Sequence, residues 1–236
     1  MAVARTPAVA MRSWAEVAAA GAVFWLLMSG ASVALLWLLN QRQLEADSKL
    51  ALEELLRKKA EAEITHMAFY DALTDLPNRR LLYDRMAQVM AAGKRHGRYS
   101  ALLFMDLDGF KKLNDIHGHE QGDKLLKAVA RRLQSEVRRE DTAARLGGDE
   151  FVVMLPELSH SPDAAREAAL AIAQKILSAL GKAYDLDGLT YACTASIGVT
   201  LFGQTDESTE TVVNRADEAM YEAKSAGRNS IRFPQV

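Results

Sequence analysis

The sequence predicts an α+β fold, in which a central, mostly antiparallel β-sheet is surrounded by helices and preceded by one transmembrane helix and a juxtamembrane helix. Three observations lead to this prediction. Residues 17–39 carry no charged side chain, and residues 40–66 contain no glycine or proline. From residue 67 onward, apolar runs typical of strands alternate with helical patterns, with a β-hairpin in the middle. Since the chain has 236 residues, it has room for one sizeable domain besides these helices.

Composition narrows the possible classes of function. The 29 basic and 31 acidic side chains nearly balance, whereas a general nucleic-acid binder carries a strong basic excess. We therefore expect no nucleic-acid partner. The single cysteine, Cys193, cannot form an internal disulfide. It falls on the apolar face of a strand pattern, so we expect a buried, unreactive thiol rather than a nucleophile or a metal ligand.

Residues 17–39 form the predicted transmembrane segment. As an α-helix that rises about 1.5 Å per residue, the segment is about 34 Å long, which is enough for a bilayer core of about 30 Å. A cleaved signal peptide is the main alternative, but the apolar run continues well past the small residues Ala31 and Ser32. A buried helix of a soluble protein is the other alternative, and it would need a large protein around it. Basic residues favour a cytoplasmic location for the C-terminal side of the span. They are Arg42, Lys49, Arg57, Lys58 and Lys59 after it, against Arg5 and Arg12 before it.

Two further segments flank this span. Residues 1–16 form a short tail, too short for a folded sensor domain. Residues 40–66 are rich in Leu, Ala, Glu, Lys and Arg, which predicts a helix that continues out of the membrane. A heptad seam that could pair two chains runs along this helix, with Ser48 and Lys58 as interruptions. Its members are Leu44, Ala51, Leu55 and Ala62. A single solvated helix is the alternative.

Residues 67–236 form the predicted globular domain. Pro77 and Asn78 mark a turn that separates two helical patterns. The apolar run Ser100–Asp106 predicts a central strand that is buried on both faces. We expect a glycine-punctuated loop over Ile116–Asp123. The other predicted helices are Leu81–Gly93, Asp123–Arg139, Pro162–Leu180 and Thr211–Ala226, and the other predicted strands are Phe151–Leu155, Tyr184–Leu186, Thr190–Leu201 and Ser230–Phe233.

Acidic side chains mark the ends of two predicted strands. Gly147 and Gly148 predict a tight turn, and Asp149 and Glu150 follow at the tip of this hairpin. Asp106 ends the central strand. If the two strands are neighbours, the three carboxylates converge and repel one another unless a proton or a cation neutralises them. A divalent ion that also binds a substrate's phosphates would fit such a cluster. Separate turn caps, or pairs with Lys and Arg, are the alternative.

Basic and amide side chains elsewhere suggest a nucleotide ligand. Lys224 and Arg228 follow Asp217 and are four residues apart. If they share a helical face, their two positive charges could hold a triphosphate. An ordinary charge pair at a helix end is the alternative. Asn114 and Asp123 offer hydrogen-bonding groups that match the edge of a guanine base, although each could equally cap a loop.

Taken together, these motifs resemble the GGDEF family, the diguanylate cyclases. The resemblance covers about residues 67–235. It is carried by the stretches Asp71–Arg79, Asp106–Asp115, Gly118–Asp123, Gly147–Phe151 and Ala216–Asn229. It implies a nucleotide-cyclase-like fold with a ferredoxin-like core. It also implies that two GTP molecules are condensed into cyclic di-GMP, with release of two pyrophosphates, by two domains that face each other in a homodimer.

The resemblance implies a role for each matching residue. Asp106, the carbonyl group of Leu107 and Asp149 would bind Mg²⁺ or Mn²⁺, and Glu150 would support the metal site. Asp149 would also take the proton of the ribose 3′-hydroxyl. The residues expected to contact GTP are Asn114, Asp123 and the nearby His119 for the guanine, and Lys111, Lys224 and Arg228 for the phosphates.

A further match concerns inhibition by the product. Arg138 and Asp141 fit the family's R-x-x-D site, at which cyclic di-GMP would act as an inhibitor. Ordinary charges at a helix end are the alternative. A second arginine that usually completes this site is not obvious from the sequence, and Arg166 is a loose candidate.

The resemblance and the apolar span together imply a single-pass protein of the bacterial inner membrane with a cytoplasmic catalytic domain. Its input would come from the membrane, from an unidentified sensory partner, or from dimerisation alone. Two other functions remain open at this point. One is a catalytically silent receptor for cyclic di-GMP, and the other is a membrane scaffold that acts through the coiled coil.

Overall fold

The computed structural model describes residues 7–204 and 207–234. Its first helix, α1 (Pro7–Phe69), runs without a break through both predicted helical segments, residues 17–39 and 40–66. The helix begins inside the predicted tail of residues 1–16, of which residues 1–6 lie outside the described part of the chain. By their internal contacts, the residues form two units, one up to Glu63 and one from Ile64 onward.

Part of α1 is long and apolar enough to cross a membrane. The span Trp14–Glu45 has a mean hydropathy of 2.1. Its tryptophans Trp14, Trp25 and Trp37 are between 60% and 75% exposed. In the predicted heptad seam, Leu44 and Leu55 are exposed. The side chains of Ser48, Ala51 and Ala62 lie outside the described residues, so the seam stays a prediction.

Helix α2 (Arg79–His96) follows the turn at Pro77 and Asn78. The side chain of Asn78 caps its first turn, because it accepts a hydrogen bond from the amide of Leu81 at 3.1 Å. The helix ends at Gly97, whose φ of 65° suits glycine.

Two consecutive helices, α3 (Phe110–His117) and α4 (His119–Glu136), replace the loop predicted over Ile116–Asp123. That prediction is wrong because Gly118 alone redirects the chain. Glycine readily adopts the φ of 84° found at Gly118, and the amide of Gly118 ends α3 by donating to the carbonyl oxygen of Asn114 at 2.9 Å. Two later helices complete the fold, α5 (Pro162–Leu180) with the predicted bounds and α6 (Thr209–Ser225).

Five strands form the central sheet. They are β1 (Tyr99–Asp108), β2 (Thr142–Gly147), β3 (Glu150–Ser159), β6 (Thr194–Phe202) and β7 (Ile231–Arg232). Their order is β2-β3-β1-β6-β7. β1 pairs antiparallel with both β3 and β6, and β2 pairs antiparallel with β3, whereas β7 runs parallel to β6. The predicted mostly antiparallel sheet is therefore confirmed, and the predicted central strand lies at its centre.

Two short strands, β4 (Tyr184–Leu186) and β5 (Leu189–Tyr191), form a separate hairpin. The single strand predicted over Thr190–Leu201 is wrong, because the chain leaves this hairpin at Ala192 and Cys193 before β6 begins. Cys193 is 2% exposed. Burial, and then the carboxylate of Asp108, raise the pKa of its thiol to about 12. Both observations agree with the buried thiol expected from the sequence.

The two faces of β1 pack against different helices. Leu103 and Met105 belong to a buried cluster with residues of α4 and α5, whereas Leu102 and Phe104 belong to a cluster with residues of α2 and α6. Since side chains alternate along a strand, Asp106 lies on the α6 face. Helix α6 lies directly against β6, because a Cβ atom on Gly198 would be only 2.0 Å from the carbonyl oxygen of Ala216.

Candidate functional site

The acidic ends of the two strands meet at one end of the sheet. In the β1–β3 ladder Asp106 is paired with Glu150, and Asp149 stands just before Glu150 at the tip of the β2–β3 hairpin. Gly147, with a φ of 149°, and Gly148, with a φ of 53°, form this tip in conformations that glycine adopts readily. The structure thus brings the three carboxylates named from the sequence to one place.

The side chain of Arg145 fixes the hairpin tip. It donates two hydrogen bonds to the carbonyl oxygen of Gly148, from Nε at 3.0 Å and from a terminal nitrogen at 2.7 Å. It also pairs with both carboxylate oxygens of Asp71, at 2.8 and 3.0 Å. Burial alone would raise the pKa of Asp71, but hydrogen bonds from Thr74 and Arg145 outweigh it and lower the pKa. The segment of residues 71–79 therefore anchors the tip through Asp71.

Helix α6 brings a lysine to the carboxylates. The Nζ atom of Lys224 lies 2.7 Å from Oδ2 of Asp106. The helix comes this close because Gly198 lets it pack directly on β6. Asp217 lies about two turns earlier on the same helix, and it is close enough to Glu150 to raise the pKa of that residue.

The carboxylates perturb one another. Burial raises the pKa of Asp106. The hydrogen bond from Lys224 lowers this pKa, but repulsion from Asp149 and Glu150 raises it further. Burial and then Asp217 raise the pKa of Glu150. Burial also raises the pKa of Asp217, with Lys224 opposing. One lysine therefore does not neutralise the cluster, and a further cation would bind favourably there.

A hard divalent cation fits this cluster in charge and in donor type, since Mg²⁺ binds one or two carboxylates together with waters and substrate phosphates. Among the residues that the structure describes, no three acidic, histidine or cysteine side chains already form a complete cage. The carboxylate of Asp106 instead contacts Lys224. A bound ion would therefore need further oxygen ligands from the backbone or from a substrate.

Asn114, predicted to read guanine, has a buried oxygen atom, Oδ1, that has no hydrogen-bond partner among the described residues. Such an atom is unusual, because buried polar groups are nearly always hydrogen-bonded. It faces α4 at Gly122, where a Cβ atom would lie only 2.0 Å from it. The two other predicted guanine contacts, His119 and Asp123, are exposed on the first turns of the same helix. Within the described part of the chain, an oxygen acceptor that receives no hydrogen bond thus lies close to Asp123, next to Gly122.

The three cations predicted to hold phosphates come from different elements. Lys111 is exposed on α3, and Lys224 is half-buried near the end of α6. Arg228 is exposed in the turn after α6, which ends at Ser225. The condition that Lys224 and Arg228 share a helical face is therefore not met. The chain leaves the helix at Gly227, whose φ is 116°, and Arg228 itself has a φ of 64°.

The two residues of the predicted inhibitory site lie together in the turn before β2. The amide of Arg138 donates to Oδ2 of Asp141 at 2.8 Å. Both residues line a cavity of about 700 Å³, which Arg85 and Arg98 line as well. Arg166 lines another cavity and lies over the ring of Phe233 at 3.8 Å. Arg85 and Arg98 are therefore better candidates than Arg166 for the additional arginine.

Sequence reasoning missed several of these contacts. The pair of Arg145 and Asp71 joins two motifs that are far apart in the chain. Arg79 is close enough to Glu150 to oppose the rise in its pKa. Arg85 and Arg98 come from α2 and from the turn before β1. Their own neighbours in the sequence carry no signal for a ligand, and only the packing of α2 beside the sheet reveals their position.

Comparisons with known proteins find sequences that are similar to this chain. A family model described as the diguanylate cyclase GGDEF domain matches residues 68–230. The chain is similar to the bifunctional diguanylate cyclase/cyclic di-GMP phosphodiesterase MucR of Pseudomonas aeruginosa, with 40% identity over 202 residues, or 86% of this chain and 28% of MucR. It is similar to the diguanylate cyclase TpbB of the same species, with 36% identity over 200 residues, or 82% of this chain and 45% of TpbB. The chain thus spans less than half the length of either relative.

Solved structures are similar as well. The crystal structure of the GGDEF domain of TpbB matches with a TM-score of 0.65 and 36% identity, and covers 69% of this chain and 99% of that one. The coiled coil and GGDEF domain of DgcB from Caulobacter crescentus, in complex with cyclic di-GMP, matches with a TM-score of 0.68 and 28% identity, and covers 80% and 96%. The diguanylate cyclase SiaD of P. aeruginosa, in complex with its activator SiaC, matches with a TM-score of 0.66 and 29% identity, and covers 95% and 84%.

Proposed function

This chain belongs to the GGDEF family of diguanylate cyclases, and on that premise we propose that it condenses two GTP molecules into cyclic di-GMP and releases two pyrophosphates. The observation that carries the proposal is the meeting of Asp106, Asp149 and Glu150 at one end of the β1–β3 ladder, beside Lys224. Repulsion among these carboxylates favours a bound cation, and the nearby ammonium group of Lys224 favours a polyphosphate.

In the proposed reaction, Asp149 takes the proton from the ribose 3′-hydroxyl of one GTP. The 3′-oxygen then bonds to the α-phosphorus of the other GTP, and the bond between that phosphorus and the pyrophosphate oxygen breaks. Pyrophosphate leaves with the bonding electron pair. A second such step closes the ring. Asp149 can serve because the hydrogen bonds from Arg145 to Gly148 hold the tip on which it stands.

The proposed metal is Mg²⁺ or Mn²⁺, and the residues that would hold it are Asp106, Asp149, Glu150 and, through its carbonyl group, Leu107. When bound, it supplies positive charge that offsets the charge on the phosphates. Lys224 serves the same end from the protein side, since its ammonium group already lies beside Asp106.

The remaining contacts would bind and orient the substrate. Lys111 and Arg228 join Lys224 in holding the phosphates. The unpaired Oδ1 atom of Asn114 would accept a hydrogen bond from guanine. The carboxylate of Asp123 would accept from the N1–H and N2–H₂ edge, with His119 nearby. These contacts would favour GTP over ATP, because adenine has no hydrogen-bond donor at either position.

Each domain offers one such cluster, so one GTP would bind to each and two chains would have to face each other. Such a homodimer could be promoted by the juxtamembrane part of α1. The exposed apolar span Trp14–Glu45 supports a single-pass anchor, with the catalytic domain on the cytoplasmic side of a bacterial inner membrane. The activator bound to SiaD gives a precedent for an unidentified sensory partner.

Cyclic di-GMP would also act as an inhibitor, at the cavity that Arg138 and Asp141 line. Arg85 and Arg98 add two further cations to this cavity, which suits a ligand with two phosphates. The same cavity favours one second candidate function, a receptor that binds cyclic di-GMP without making it.

The test is incubation of the detergent-solubilised full chain with GTP and Mg²⁺, followed by chromatographic analysis for cyclic di-GMP. We expect product from the wild type and none from Asp149→Ala. A verified dimer that binds cyclic di-GMP but makes none would favour the receptor instead.

A further inference from the structure

The carboxylate of Asp108 makes three hydrogen bonds that none of the roles above explains. Asp108 is the last residue of β1 and follows Asp106 on the same face of the strand. Its Oδ2 atom accepts from Oγ1 of Thr194 at 2.6 Å and from the backbone amide of Asn229 at 3.1 Å. Its Oδ1 atom accepts from Oγ of Ser196 at 2.8 Å. The carboxylate thus ties the end of β1 to the turn after α6.

That turn has an unusual backbone. Gly227, Arg228 and Asn229 follow one another with φ values of 116°, 64° and 43°. The left-handed region is uncommon for residues other than glycine, and surrounding contacts must hold such residues in it. The last turn of α6 holds part of the turn, since the amide of Arg228 donates to the carbonyl oxygen of Ala223 at 3.1 Å. The amide of the next residue, Asn229, donates to Asp108.

The carboxylate of Asp108 is also held by two hydroxyl groups of strand β6. Thr194 and Ser196 both belong to β6, the strand that pairs with β1, and each donates to a different oxygen of Asp108. These two hydroxyl groups fix the plane of the carboxylate. Hydrogen bonds to a charged acceptor are also stronger than neutral ones. The amide of Asn229 therefore meets an acceptor that is already held in place.

We infer that Asp108 is a positioning residue for the phosphate end of the substrate. It holds the turn of residues 227–229 so that Arg228 is presented in the conformation that binds the GTP phosphates. This inference rests on the proposed function, because Arg228 matters to it only as a phosphate ligand. A single strand end would then support both the carboxylate cluster, through Asp106, and the arginine, through Asp108.

The test compares the affinities of the full chain for a non-hydrolysable GTP analogue and for GMP, in the presence of Mg²⁺. Asp108→Ala should weaken binding of the GTP analogue by about tenfold, since it removes a charged hydrogen-bond acceptor. It should change GMP binding little, because GMP lacks the β- and γ-phosphates. Asp108→Asn, which keeps an oxygen acceptor for the amide of Asn229, should be intermediate.

A double-mutant cycle separates positioning from other effects. Arg228→Ala should weaken binding of the GTP analogue about as much as Asp108→Ala, and the double variant should be little weaker than either single one. The control is Ser208→Ala, which removes the cap at the other end of α6, where the Ser208 hydroxyl accepts from the amide of Thr211. It should lower the melting temperature and leave nucleotide binding as it is.

Several results would overturn the inference. One is equal weakening of GMP and GTP-analogue binding, and another is additive effects of the two substitutions. A third is wild-type affinity in Asp108→Ala. If Asp108→Ala does not fold, the same comparison is made with Asp108→Asn. The inference would also be refuted if Arg228→Ala left the ratio of the affinities for the GTP analogue and GMP at the wild-type value. Failure of the wild type to bind GTP at all would instead refute the proposed function.

Discussion

Substitution of Arg145 by alanine tests the link between the hairpin tip and the rest of the domain. The change removes both hydrogen bonds to the carbonyl oxygen of Gly148 and the two-point pair with Asp71. It leaves the carboxylate of Asp71, which is 21% exposed, without its cationic partner. Asp149 is the next residue after Gly148, so the position of the proposed base depends on this arginine.

The expected loss of stability follows from the burial of the pair. Removal of one partner from a fully buried ion pair costs about 3–5 kcal/mol. Because Asp71 is partly exposed and keeps two hydrogen bonds from Thr74, we expect a loss of about 2–3 kcal/mol. For a domain of this size, about 1 kcal/mol shifts Tm by about 2–4 °C. The variant should therefore melt about 4–12 °C lower, which thermal unfolding of the full chain in detergent would measure.

The effect should depend on pH in one direction. Since the pKa of Asp71 is lowered in the folded protein, the pair contributes its stability above the ordinary value of 3.8 and loses it as the pH falls through the lowered pKa. The difference in Tm between wild type and variant should therefore be full at neutral pH and should shrink in strong acid.

At neutral pH, kcat for cyclic di-GMP synthesis should fall by about 100-fold, because small displacements of a catalytic group are costly.

The matched control is Lys175→Ala. Lys175 also pairs with a carboxylate, Oε2 of Glu136 at 3.1 Å, but its side chain is 59% exposed. Exposed pairs contribute at most about 1 kcal/mol, so this variant should melt close to wild type with unchanged kcat. Equal melting temperatures for Arg145→Ala and Lys175→Ala, with kcat retained in both, would refute the reasoning.

Three further predictions concern the substrate, metal and product sites. Gly122→Ala would place a methyl group about 2.0 Å from Oδ1 of Asn114. The KM for GTP should therefore rise at least about tenfold, without a lower Tm. An unchanged KM would show that Asn114 does not contact guanine. Asp106→Asn should abolish synthesis of cyclic di-GMP. It should not lower the Tm of the metal-free protein at neutral pH, because burial and like charges already raise the pKa of Asp106. Mg²⁺ should raise the Tm of the wild type and not that of the variant, and an equal rise in both would contradict the metal site. Arg138→Ala and Arg85→Ala should each raise the concentration of cyclic di-GMP that gives half-maximal inhibition, by about tenfold or more, whereas Arg166→Ala should match the wild type.

Local patterns in the sequence predict the two strands that carry the carboxylate cluster, but not the order of the strands in the sheet. The apolar run that ends at Asp106 predicted the central strand, and the glycine pair before Asp149 predicted the hairpin. Both signals are local, because an apolar run needs burial and a glycine pair permits a turn that other residues resist. The cluster also requires that the two strands be neighbours, and the pairing of Asp106 with Glu150 satisfies this condition.

Other features depend on contacts that no local pattern encodes. The sequence predicts a loop around Gly118, yet this single residue with a positive φ joins two helices. A shared helical face for Lys224 and Arg228 would require α6 to continue, whereas the chain turns at Gly227. The hydrogen bond from Asn229 to Asp108 joins residues far apart in the chain. Such contacts follow only from the packing of α6 against the sheet.

The central claim is that two chains, each with its own carboxylate cluster and GTP, build one molecule of cyclic di-GMP. The most direct test mixes a fixed amount of wild-type chain with increasing amounts of Asp149→Ala chain, co-reconstituted so that subunits exchange, and measures cyclic di-GMP formed per wild-type chain. Since a mixed pair has only one intact Asp149, we expect the yield per wild-type chain to fall steadily as the variant is added. A yield that stays constant at every ratio, with exchange verified, would show that one chain makes the product alone and would contradict the account.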